Sequence, residues 1–173
     1  MVDDLLDLTI RPADVSDARA IGEVHIASLR HAYAGVVDEA HLAGLDLGAY
    51  TAGWTERIEA RDPRTTILVA EVDGALTGFA MLGPSRDEDA ELGSLEIYYI
   101  FLQPEFWGHG VARELMRTIL AEAPAGSPVT LWVLGANERA RHFYRRHGFM
   151  PDGVERLEPI GSEEYLEVRY RRG

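Results

Sequence analysis

Phe101-Leu102-Gln103-Pro104-Glu105-Phe106-Trp107-Gly108-His109-Gly110-Val111-Ala112-Arg113 is the stretch on which the fold turns. Leu95 to Leu102 is almost wholly apolar, as a central strand buried on both faces would be, and its one charged residue is Glu96. The segment runs through a proline turn into a glycine-rich loop, and the loop opens a helix expected from about Gly110 to Glu122. N–H groups at a helix start are unpaired and point outward, and the helix dipole adds partial positive charge there. Glycines let a bulky anion come close to such a backbone. The residues from Gly108 to Arg113 therefore fit a phosphate or pyrophosphate cradle that needs no lysine. A turn that merely joins strand to helix fits them as well.

Working outward, antiparallel pairing comes first in the chain. Leu8 to Arg11 is a short strand ahead of Pro12, and Asp14 or Ser16 caps a helix running to about Arg30. Residues 31–62 read as helix and loop interrupted by Gly35, Gly44, Gly48 and Gly53. Thr66 to Val72 and Ala75 to Leu82 form a hairpin about Asp73-Gly74, and the acidic stretch from Gly83 to Gly93 is a loop. Beyond the helix that Pro124 stops, Val129 to Leu134 is a buried strand. Asn137 caps a helix from Glu138 to His147, Gly148 ends it, and Tyr165 to Tyr170 is a last strand. Antiparallel strands followed by strand–helix–strand–helix–strand imply a mixed α/β sheet with helices on both faces. A dinucleotide-binding fold is disfavoured: its third glycine would stand where Arg113 does, and the preceding strands are antiparallel.

Composition removes several chemistries. The chain of 173 residues suits one domain, 1–173. It has no cysteine, which excludes disulfides, thiolate catalysis and cysteine zinc sites. All 17 basic residues are arginine, so a lysine-bearing phosphate loop and a Schiff-base lysine are excluded too. The six histidines show no metal-ligand spacing, and no metal is expected. A net charge of −12 argues against a nucleic-acid partner. Residues 103–150 run against that balance, with six arginines and four acids, which suits an anionic ligand or a solvated surface. No apolar run approaches a membrane span, and the acidic opening Met1-Val2-Asp3-Asp4-Leu5-Leu6-Asp7 lacks the basic flank of a signal peptide. A cytoplasmic location without membrane association follows as the default.

The loop resembles the acetyl-CoA signature of the GNAT acyltransferases: Gln or Arg, two variable residues, Gly, one variable residue, then Gly or Ala. Gly110 and Ala112 fill the last two fixed places, while Trp107 stands where Gln or Arg is usual. The block from Leu131 to Phe149 resembles the family's strand, Asn, Ala, Tyr, Gly-Phe pattern, and Ile10-Arg11-Pro12-Ala13 with Asp17 resembles its opening. The resemblance implies a GNAT-like α/β fold with a mixed, mostly antiparallel central sheet, and acetyl transfer from acetyl-CoA to a small-molecule or peptide amine by direct attack. It allows for a homodimer. The alternative of another class is a non-catalytic acyl-CoA-binding or sensor domain of the same fold.

The resemblance also implies roles. Tyr144 would protonate the leaving thiolate, a reasonable task for a phenol, or else be a packing aromatic beside Phe149. Glu96 would accept the amine's proton, or else face solvent at a strand edge. Ile100 and Leu102 would pair through their backbones with the pantetheine arm. Trp107, Gly108, His109, Gly110, Val111, Ala112 and Arg113 would form the pyrophosphate loop, and Asn137 would bond the arm, cap its helix, or both. Alternation places Glu96, Tyr98, Ile100 and Leu102 on one face of their strand. Of Arg139, Arg141, Arg145 and Arg146, one or two would meet the phosphates and the rest are solvated helix surface; His25, His31, Tyr33 and Trp54 lie where the family's substrate-binding helices usually are and read as packing residues.

Overall fold

The computed structural model describes residues 6–173, so the acidic opening at residues 1–5 lies outside the described residues. Seven strands make one sheet in the order β1 (Leu8–Pro12), β2 (Thr66–Val72), β3 (Ala75–Pro84), β4 (Leu95–Leu102), β5 (Val129–Leu134), β7 (Glu163–Arg172) and β6 (Met150–Ile160). Every neighbouring pair is antiparallel except β4 and β5. These two run parallel and are paired only at Leu95↔Val129 and Glu96↔Thr130, beyond which they part. The sheet is mixed and mostly antiparallel, with helices on both faces, as the sequence leads one to expect.

The two faces have separate cores. α4 (Val111–Ala121) packs Val111, Leu115, Met116 and Ile119 against Leu68, Ala80, Leu131 and Tyr170, and α5 (Glu138–Arg146) adds Ala140, Phe143 and Tyr144 to the edge of that cluster. On the other face α1 (Ala18–Ala32) and α3 (Leu47–Ala60) enclose Ile21, Val24, Trp54, Val69 and Phe79. A short α2 (Glu39–Ala43) lies between them in the chain. At 25 cal/mol per Å² of apolar area, each large core side chain contributes roughly 1.5–3 kcal/mol. Among the described residues no helix is long and apolar enough to cross a membrane.

The structure departs from the sequence reading in three places. Gly48 and Gly53 do not interrupt their segment; they lie inside α3, which Asp46 caps by accepting from Ala49 N–H at 2.8 Å. Packing of Trp54 (1% exposed) outweighs the helix cost of two glycines, about 1 kcal/mol each. Met150–Ile160 is a strand in a stretch that the sequence reading leaves unassigned, and it holds two prolines and Gly153. It is one of the sheet's two edge strands, where prolines are tolerated because a missing N–H on the outer side costs no ladder bond.

The third departure matters most for the site. A bulge between Met81 and Leu82 leaves Tyr98 without a partner on β3 and breaks the alternation of β4. Leu95, Ile97, Ile100 and Leu102 pack with the α4 core, whereas Tyr98, Tyr99 and Phe101 pack with the α1 and α3 core. Gly83 permits this, since a Cβ there would stand 2.6 Å from the Tyr98 hydroxyl oxygen. The Tyr98 hydroxyl donates to the Pro84 carbonyl, which fixes the bulged residue. Glu96 and Ile100 are therefore not on one face.

Candidate active site

Where β4 and β5 part, the sheet holds a cavity of about 980 Å³. Its walls come from α1 (Ser28, His31, Tyr33), β4 (Ile100, Phe101, Leu102) and the loop after it (Trp107, Gly108, Gly110). Ala112 and Arg113 of α4, Leu134 of β5, Glu167 of β7, and Asn137, Arg139 and Tyr144 complete them. Segments far apart in sequence meet here because the parallel pair opens after its second register position.

The β4 edge in this gap is unpaired for a reason of register. Gln103 N–H donates to Thr77 C=O at 2.8 Å, so that pair faces β3. Antiparallel pairing alternates, so Phe101 also faces β3 while Ile100 and Leu102 turn their N–H and C=O groups the other way, into the cavity. The Leu102 carbonyl confirms the direction: it accepts from the Trp107 indole N–H at 3.0 Å and from the Ser28 hydroxyl at 3.4 Å. An unpaired strand edge is a ready partner for an extended, amide-bearing chain.

At the cavity's far end the loop enters α4 through two left-handed glycines, Gly108 and Gly110, both at φ +81°. A side chain at Gly110 would meet no atom within 4 Å, so backbone conformation and not crowding calls for glycine. Gly110 is the N-cap of α4 and supplies no side-chain cap, which leaves the first-turn N–H groups free to bind an anion. Val111 buries its side chain in the core and offers only its backbone; His109 is exposed and off the cavity wall, while Arg113 is on it. Trp107 does not project into the glycine loop. It folds back between His31, with ring centroids 4.6 Å apart, and the Arg139 guanidinium, 3.8 Å from the indole centroid.

Tyr144, on α5, faces this cavity among Phe143, Phe149 and Tyr170. Its hydroxyl makes no hydrogen bond among the described residues, and burial pushes the phenol above its ordinary range, so it stays protonated. Asn137 caps α5 by accepting from Ala140 N–H at 3.1 Å and also lines the cavity. Glu96 is elsewhere: it is 2% exposed and is not on the cavity wall. Arg86 holds both of its oxygens, with its backbone N–H 3.2 Å from Oε1 and its Nε 3.1 Å from Oε2. The bulge at Tyr98, whose ring carries the Arg86 guanidinium at 4.1 Å, separates this pair from the open edge at Ile100.

Two wall residues differ from the reading of the sequence, which takes Tyr33 as packing and does not single out Glu167. Tyr33 ends α1, and its phenol is pushed up by burial and by the nearby Glu167 carboxylate. Glu167 of β7 pairs with Leu134 at the lip of the gap, is 9% exposed, and is raised by burial against the opposing pull of Arg156. Neither lies in a motif, and only the strand order brings them to the gap. His25 is a packing residue, as expected: its Nδ1 accepts from the Trp54 indole at 3.2 Å, and burial lowers it to about 4.

The family model for the acetyltransferase (GNAT) family matches residues 33–149. An uncharacterized N-acetyltransferase of Mycobacterium bovis is 32% identical over 160 residues, covering 90% of this chain and 98% of that protein. Among solved structures, ribosomal-protein-alanine N-acetyltransferase from Brucella melitensis superimposes with a TM-score of 0.73 at 21% identity, over 95% of this chain and 98% of that one. PaiA N-acetyltransferase from Thermoplasma acidophilum, in complex with coenzyme A, gives 0.71 at 20%, over 96% and 98%. A family match across the cavity's loop and α5, and a relative alike along nearly its whole length, place this chain in the GNAT acetyltransferase family as an acyltransferase.

Proposed function

We propose that residues 1–173 form a single N-acetyltransferase domain that moves an acetyl group from acetyl-CoA to an amine by direct attack. The observation that carries this reading is the β4 edge at Ile100 and Leu102, which lacks a strand partner and opens on the cavity between the left-handed glycine loop and Tyr144. The parts fit the donor's chemistry in order. The N–H groups of Gly108 to Arg113 take the pyrophosphate, with Arg113 and Arg139 adding charge at the wall. The β4 edge takes the amide-bearing arm as an added strand, and its N–H groups polarise the thioester carbonyl. The coenzyme A held by the Thermoplasma acidophilum neighbour supports this assignment.

Tyr144 stays neutral and donates to the sulfur as negative charge develops there, so that the C–S bond breaks without releasing a bare thiolate. A side chain on the enzyme need not carry the acetyl group, and there is no cysteine to do so. A sensor that binds acyl-CoA without turnover would need the loop and the strand edge but no free phenol above the thioester.

One assay separates the two readings. Wild-type protein is given acetyl-, propionyl- or succinyl-CoA with a panel of polyamines, aminoglycosides and basic peptides, and free thiol is followed. Thiol release that requires both acetyl-CoA and one of the amines is expected. Tight acetyl-CoA binding with no amine-dependent release from any member of the panel would favour the sensor.

A further inference from the structure

We infer that Glu167 is the carboxylate that takes the proton from the acceptor amine, with Arg156 holding it in place. This rests on the transfer reading above and names the base it needs. An amine reaches the enzyme as an ammonium, which has no lone pair, so a proton must leave before attack. Glu96 and Glu167 stand differently. Glu96 is enclosed, both its oxygens are held by Arg86, and it is off the cavity wall. Glu167 is on the wall, at the register position of Leu134, the last residue of β5, beyond the point where β5 has parted from β4.

The two oxygens of Glu167 are unlike. Oε2 accepts from Arg156 Nε at 2.7 Å, whereas Oε1 has no donor among the described residues and is not sealed in the protein. One oxygen is fixed, and the other, on a residue of the cavity wall, has capacity to spare. That is the arrangement a base needs: orientation from one side, access from the other. The charged and titratable groups around it are Arg156 and Glu158 from β6, Glu96 from β4, Tyr33 from α1 and Tyr144 from α5. Burial and the two neighbouring carboxylates favour the protonated form, and Arg156 opposes them. The balance brings the carboxylate closer to the amine it must deprotonate.

The proton ledger closes. Glu167 Oε1 takes one proton from the ammonium, and the freed lone pair forms the C–N bond at the thioester carbon. As the C–S bond breaks, sulfur takes the Tyr144 proton. The second proton, lost by nitrogen as the amide forms, restores the Tyr144 phenol. Glu167 then releases its proton to water through the cavity, which is the one proton the overall reaction liberates.

The test uses full-length protein, acetyl-CoA and the panel amine that gives wild type its fastest thiol release. Glu167→Gln, which keeps the side chain's size, is expected to lower kcat by at least ~100-fold near neutral pH with coenzyme A affinity within about two-fold. The deficit should shrink as pH rises and the amine supplies its own free base. Glu167→Asp, which retains a carboxylate, should recover part of the loss. Arg156→Gln removes the cation that favours the charged carboxylate, so the acid limb of the rate profile should move to higher pH. Wild-type turnover with an unchanged Glu167→Gln rate overturns this inference alone, and a large loss in Glu96→Gln instead would move the base there. No wild-type turnover with any amine overturns the transfer reading and this inference with it.

Discussion

The two halves of the sheet treat the same face in opposite ways. Under α1 and α3, strands β2 to β4 present Val69, Phe79, Tyr99 and Phe101 to a cluster around His25 and Trp54, and nearly every ring touches another ring. Beyond the gap, β5 and β7 present Trp132, Glu167 and Arg169 on that side, and the groups there are paired charges. Arg169, with its side chain 8% exposed, is held by Asp87, Asp89 and Asp152. The first half is a core and owes its stability to packing. The second keeps charge close to a cavity, where each ion pair adds little net stability but fixes a geometry. Catalysis is expected at the seam, and stability in the aromatic half.

The largest effect should come from the seam. Tyr144→Phe keeps the ring packing and deletes the hydroxyl. General acid catalysis is worth about 10²–10⁴ in rate, so the barrier should rise by roughly 3–5 kcal/mol. Coenzyme A affinity and Tm should hardly change, because one neutral hydrogen bond contributes only ~1 kcal/mol net. Unaltered turnover with a lowered Tm would make Tyr144 a packing residue and break the division between the halves.

The aromatic half should answer to pH instead. His25 is lowered from 6.5 to about 4 by burial and then by Arg57, so the folded chain keeps it neutral where the unfolded chain protonates it. The unfolded state binds more protons between those values. Stability is therefore complete above about pH 6.5 and falls as pH drops towards 4, by roughly 3 kcal/mol in all. His25→Gln keeps an acceptor for Trp54 and cannot titrate. The difference in Tm between the two proteins should narrow or reverse over that window, and a constant difference would show that His25 does not titrate as its burial requires.

A smaller effect is expected at the glycine loop. Gly110→Val puts a β-branched residue at φ +81°, which costs ~1–2 kcal/mol when the conformation is kept and misaligns the loop when it is not. KM for acetyl-CoA should rise about ten-fold while KM for the amine stays put. Equal changes in both would mean that the loop does not hold the donor.

Much of this was legible in the sequence because the signals were local. Thr66–Val72, Leu95–Leu102 and Val129–Leu134 are strands at the bounds their apolar runs suggest, and Asp73 and Gly74 turn the hairpin with φ of 51° and 80°. The glycine loop and the Asn137 cap were legible in the same way. What escaped depends on relations between distant segments. Strand alternation on β4 fails at Tyr98 because of a register shift against β3, which the residues of β4 alone do not announce. Glu96 reads as an available acid until Arg86, ten residues earlier, is seen to occupy it. Glu167 looks like any acid of an alternating strand, and only the β5–β7 pairing brings it to the gap. Met150–Ile160 hides behind prolines that an edge strand tolerates.

The proposed seat of the donor's arm is the gap between β4 and β5, where it adds as a strand. Backbone amide hydrogen exchange, followed residue by residue with and without saturating coenzyme A, tests it directly. The N–H groups of Ile100 and Leu102 face the cavity without a strand partner, whereas those of Phe101 and Gln103 are engaged with β3. Coenzyme A should slow exchange at Ile100, Leu102 and the loop from Gly108 to Arg113 by at least ~10-fold, leaving β1, β2 and the β6–β7 hairpin unchanged. Saturated binding with no protection at Ile100 and Leu102, or protection confined to another part of the sheet, would contradict the account.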